Sequence, residues 1–145
     1  MTIPRWAAIL FLCVSFLGFL DATYLAIEHY RGVIPPCSIV EGCDTVLASD
    51  YAKVFGVPVA LFGALYYLFV FLSALFYLDR GSLMALRMAS WGTIAGFLSS
   101  LWFLYVQFFI LHAVCLYCIF SAGTSITLFT LGMWFLKKIR RSTSV

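Results

Sequence analysis

Five cysteines, Cys13, Cys37, Cys43, Cys115 and Cys118, stand in a chain of 145 residues, and four of them fall into two pairs. Cys37 and Cys43 have five residues between them, and Cys115-Leu116-Tyr117-Cys118 is a CxxC. Paired thiols support three chemistries. They exchange electrons as disulfides, hold a tetrahedral metal ion as a four-thiolate set, or staple the fold. A CxxC is a poor staple, because the short loop it closes removes little chain entropy. Dithiol exchange is the leading reading. A four-cysteine metal-binding or metal-carrier membrane protein is the alternative from another class.

The elements that must position these thiols are membrane helices. Hydrophobic residues make up 64% of the chain and charged residues 10%, and the mean hydropathy is +1.05. An ordinary soluble domain is about half apolar and about a quarter charged. Apolar runs stand at about Trp6 to Ile27, Val57 to Leu78, Leu86 to Phe109 and Val114 to Leu136, each long enough to cross a hydrocarbon core of about 30 Å. Four spans consume about 80 residues, which leaves loops and ends but no second soluble domain. The expected fold is all-α, a single four-transmembrane-helix bundle over residues 1–145. The net charge of +3 comes without a basic patch in the loops, which argues against nucleic acid as a partner.

The basic residues report topology instead. Arg5, Arg80, Arg87, Lys137, Lys138, Arg140 and Arg141 flank one side of the spans, and only Arg31 and Lys53 lie on the other. Seven against two places both termini in the cytoplasm and the first and third connections outside. Counted without reference to cysteine, this topology brings Cys37, Cys43 and the CxxC to one face of the membrane. The outer side of a bacterial membrane is kept oxidising, so paired thiols there cycle as disulfides. Aromatic residues agree with the assignment: Tyr30, Tyr105 and Tyr117 near the outer boundary, Trp6, Tyr77 and Trp134 near the inner one. Small residues at Gly92, Gly96 and Ser100, and at Ala22 and Ala26, mark close helix packing.

The first connection, about Glu28 to Gly56, is longer than packing needs, and such loops are usually functional. Its first half contains Pro35 and Pro36 and is expected to be irregular. In its second half Leu47, Tyr51, Val54 and Phe55 share one side at helical spacing, with Thr45, Ala48, Ser49 and Lys53 opposite. This pattern predicts a short amphipathic helix lying at the outer interface as a lid. Pro58 suits the first turn of the second span.

The fourth helix runs inward, so its positive dipole end lies beside Cys115 and Cys118 and favours a thiolate on one of them. Cys13, in mid-span, reads as a small buried apolar residue. Asp21 lies at membrane depth, where an ionisable group is a functional hypothesis or pairs with a loop group. His112, three residues before Cys115, is read as a hydrated turn residue, with proton transfer as the other possibility. Ser49 offers a hydroxyl to a quinone carbonyl, or faces water.

The order of these features resembles the vitamin K epoxide reductase family, over nearly the whole chain. Asp21-Ala22-Thr23-Tyr24-Leu25 is followed by Cys37 and Cys43, Ser49, Gly56-Val57-Pro58, and Cys115-Leu116-Tyr117-Cys118 opening the last helix. The resemblance implies a bundle around a quinone, whether menaquinone, phylloquinone or ubiquinone, in the prokaryotic inner membrane. Electrons would pass from a separate, extracytoplasmic thioredoxin-like protein to Cys37, on to Cys43, across to Cys115, and through Cys118 to the quinone. Cys115 would stay open to the loop and Cys118 point deeper into the bundle. Animal members also hold vitamin K through a Tyr one turn beyond the CxxC. Ala122 stands there in this chain, so quinone reduction is favoured over epoxide reduction. The bacterial disulfide-bond oxidases with four helices carry their CxxC in the first outer loop, an order this chain does not follow.

Overall fold

The computed structural model describes residues 3–32, 50, 53–113 and 115–143. Four helices in it are long and apolar enough to cross a membrane, and the chain is a multi-pass membrane protein. Helix α1 covers Arg5–Arg31, α2 Val59–Arg80, α3 Leu83–Tyr105 and α4 Leu116–Thr143; a π-helical turn, Val106–Ile110, extends α3. The helices outrun the apolar runs because interfacial polar residues continue the helix past the hydrocarbon boundary. At one end α2 passes into α3 through Gly81, whose φ of 70° accepts the left-handed conformation a tight helix stop requires. Ser82 then caps α3 by accepting a hydrogen bond from the Ala85 N–H at 3.4 Å.

Packing is closest between α1 and α2 and between α3 and α4; the α2–α3 and α1–α4 contacts complete the bundle. The core holds Phe11, Tyr67, Val70, Leu86, Leu128 and Phe135, with Ala7, Ala8 and Ala22 where backbones approach. The small residues sit where aromatic rings from α2 come down. The Tyr66 ring lies over Gly96 and the Tyr67 ring over Gly18, so a Cβ at either glycine would overlap the ring. Tyr67 is also the polar centre of the bundle. Its hydroxyl donates to the Ser121 carbonyl at 2.8 Å and contacts the hydroxyls of Thr124 at 2.8 Å and Ser125 at 3.3 Å, tying α2 to α4.

The two ends of the bundle are distinct. At one, Trp6 meets Trp134 with ring centroids 6.1 Å apart, and the Tyr77 hydroxyl donates to the Ile3 carbonyl at 3.2 Å. The start of α1 and the later part of α4 therefore lie at that end, with Arg80, Lys137 and Lys138 close by in sequence. At the other, Tyr24 meets Tyr117 with centroids 5.7 Å apart, beside the CxxC.

Three expectations change. The lid helix does not run through Val54 and Phe55. Strands β1 (Lys53–Val54) and β2 (Val57–Pro58) pair antiparallel instead, with Val54 opposite Val57. Phe55 and Gly56 turn the hairpin at φ of 53° and 79°, values that a helix cannot contain. Asp50 lies in a 3₁₀ turn, and the remainder of the expected helix, including Ser49, lies outside the described residues. Pro58 caps α2 from the strand side rather than entering its first turn. The third change is Cys13, which faces outward from the bundle towards lipid and is not buried.

Candidate functional site

The CxxC sits at an elbow between α3 and α4, and the elbow is built by one amide. The π-helical turn places Gln107 in the protein interior, 1% exposed. Its side-chain oxygen accepts the Cys115 N–H at 2.9 Å, its main-chain carbonyl accepts the Ala113 N–H at 3.0 Å, and its Nε2 donates to the Phe103 carbonyl at 3.3 Å. An α-helical continuation would leave the Cys115 N–H without this acceptor. π-Helical turns recur at functional sites because they re-aim a side chain without ending the helix. His112 completes the reversal at φ 50° with its side chain exposed, in accord with a hydrated turn residue. The Cys115 carbonyl accepts the Ile119 N–H at 3.0 Å and so begins α4.

Both cysteines of the motif are free thiols. Cys115 is fully buried against Leu111, Ala113, Tyr117 and Cys118, and Cys118 is partly exposed. Cys115 is therefore not the open thiol that was expected, while Cys118 lies one turn further along α4. The Gln107 hydrogen bond holds the Cys115 backbone in the interior, and Cys118 packs against it from the next turn.

Cys115 stands just ahead of the span. The Cys118 thiol hydrogen-bonds to its sulfur, and with the Cys118 and Tyr117 N–H groups this outweighs burial and the nearby Asp21 carboxyl, lowering the Cys115 thiol from 9.0 to about 7. In the reduced pair the thiolate therefore belongs to Cys115, which can attack a disulfide near neutral pH.

Of the other residues singled out from sequence, Cys37, Cys43 and Ser49 lie outside the described residues. Asp21 is brought to the site: its carboxyl interacts electrostatically with Cys115, Tyr117 and Cys118. Gln107 was missed in the sequence reading. The signal was available, since an amide within an apolar run is itself a functional pointer.

Gln107 should act as a positioning residue. Replacing it with Leu removes the acceptor of a buried N–H, which costs about 1–3 kcal/mol. Denaturant unfolding in detergent should show that loss; a change below about 0.5 kcal/mol would mean the Cys115 N–H finds another acceptor.

Among curated proteins no relative matches the chain. The model of the vitamin K epoxide reductase family matches residues 9–133. With a four-span bundle and a CxxC at the start of its last helix, the chain belongs to that family, whose members are membrane oxidoreductases acting through thiols on quinones.

Proposed function

We propose that this protein reoxidises a thioredoxin-like partner outside the cytoplasm and passes the electrons to a membrane quinone, in support of disulfide bond formation. Cys37 and Cys43 receive the electrons, Cys115 and Cys118 relay them, and a vitamin K-type quinone or ubiquinone accepts them. The observation that carries this reading is the asymmetry of the CxxC. Cys115 has the lowered pKa that exchange with another cysteine requires, and Cys118, partly exposed, lies one turn further along α4. Ser49 is proposed as a hydrogen-bond donor to a quinone carbonyl. The basic count supports a reading with the termini in the cytoplasm and both pairs on the outer face of a prokaryotic inner membrane, residues 1–145 forming one membrane domain.

A thiol titration separates this function from metal binding. Isolated protein should gain up to four reactive thiols on treatment with a reductant and none on treatment with a chelator. Thiols released by chelator alone would identify a metal site and end the redox reading.

A further inference from the structure

The quinone chemistry proposed above moves protons as well as electrons. A dithiol and a quinone become a disulfide and a hydroquinone: two S–H bonds break, one S–S bond forms, two electrons leave the sulfurs, and two protons reach the quinone oxygens. Thiols and carbonyl oxygens in an apolar setting transfer protons poorly without a polar intermediary.

Asp21 lies where such an intermediary is needed. α1 and α4 run in opposite directions, and the Tyr67 ring over Gly18 with its hydroxyl on Ser121 fixes their relative height. Three residues on from Gly18 is Asp21, and three residues back from Ser121 is Cys118. The two side chains thus occupy one level, a turn above Tyr67. The Asp21 carboxyl interacts electrostatically with the sulfurs of both Cys115 and Cys118. Its Oδ2 is buried without a hydrogen-bond partner among the described residues. A carboxyl oxygen left so at membrane depth costs stability, which argues for a use beyond packing. The titratable groups that interact with it are Cys115, just ahead of α4, and Tyr117 and Cys118 on α4. Tyr67 is already committed to Ser121, Thr124 and Ser125.

We propose that Asp21 is the proton-transfer group of the site, taking the proton from the Cys118 thiol and delivering it to a quinone oxygen. The Cys118 sulfur then gives its electron pair to the quinone. Cys115 then attacks the Cys118 sulfur as its thiolate: the S–S bond forms as the sulfur–quinone bond breaks, the electron pair stays on the quinone, and the second proton, released when Cys115 ionised, reaches the other quinone oxygen through the same carboxyl, now emptied. Asp21 ends each turnover as it began.

The inference rests on the quinone reductase reading, and one assay distinguishes the two. Protein reduced beforehand is mixed anaerobically with a water-soluble ubiquinone analogue, and hydroquinone formation is followed over a single turnover for wild type, Asp21→Asn and Asp21→Glu. Reduction of the CxxC disulfide by dithiothreitol is measured in parallel. Asn keeps the size and loses the proton, so Asp21→Asn should slow hydroquinone formation about 100-fold. Asp21→Glu should recover most of that rate, and the dithiothreitol step should be unchanged in both. If Asp21→Asn does not fold, Asp21→Ser takes its place. A wild-type rate in the Asn or Ser variant overturns the proposal, as does an equal slowing of the dithiothreitol step, which would make Asp21 structural. No quinone reduction by the wild-type protein would instead overturn the function on which it rests.

Discussion

Replacing Cys118 with Ser should abolish quinone reduction while leaving the bundle folded. Cys118 is the partly exposed thiol of the pair, and Ser is close to it in size, so the loss should be chemical. A serine hydroxyl stays protonated at neutral pH and cannot donate an electron pair to a quinone as a thiolate does. The converse variant separates the two roles. With Cys115→Ser, the hydrogen bond that ties Cys118 to its neighbour is changed and electron entry from the loop is blocked, yet Cys118 remains at the helix N-terminus where the dipole favours its thiolate. A thiolate against a quinone face should give a visible charge-transfer band. The band should be present in Cys115→Ser with quinone, absent in Cys118→Ser, and bleached by acid as the thiolate protonates. Wild-type quinone reduction by Cys118→Ser would show that the assignment of roles is wrong.

A second large effect is expected at the loop. With Cys37→Ala, Cys43 has no partner of its own and should accumulate in a disulfide with Cys115, stopping oxidation of the thioredoxin-like partner. The structure adds a condition: Cys115 is fully buried, so this exchange requires the cover over the elbow to open. Trapping should therefore be slower than reaction of the same thiol in an unfolded chain, and denaturation should remove the delay. Peptide mapping of the variant isolated under oxidising conditions checks the linkage. Failure to find Cys43 joined to Cys115 in any preparation would sink the relay.

The four spans and their order are legible in the apolar runs, because a bilayer demands about 20 apolar residues for each crossing. Their ends are less so, since Arg31, Leu83 and Ser142 continue helices beyond the hydrocarbon, where composition no longer constrains the backbone. Burial within the spans is hidden for a related reason. Lipid and protein core are equally apolar, so nothing at Cys13 distinguishes a residue facing lipid from one facing a neighbouring helix. The hairpin was missed because Val54 and Phe55 fit a helical stripe, and the positive φ of Phe55 is unusual for an aromatic side chain. At the site the cysteines declare themselves by type and spacing. The elbow that makes them unequal depends on a π-helical turn at Gln107, and a shift in helical pitch leaves no mark in an apolar sequence. Asp21 stood out by charge alone, and its level with Cys118 emerges only once Gly18, Tyr67 and Ser121 are in contact.

The central claim is that electrons leave this protein from the CxxC to a quinone. The most direct measurement is an anaerobic titration of fully reduced protein with quinone, counting hydroquinone by absorbance and assigning the lost thiols by differential alkylation and peptide mapping. Hydroquinone should appear in step with a Cys115–Cys118 disulfide, one for each bond formed. Hydroquinone formed while Cys115 and Cys118 both stay reduced, or a CxxC disulfide formed without hydroquinone, would contradict it.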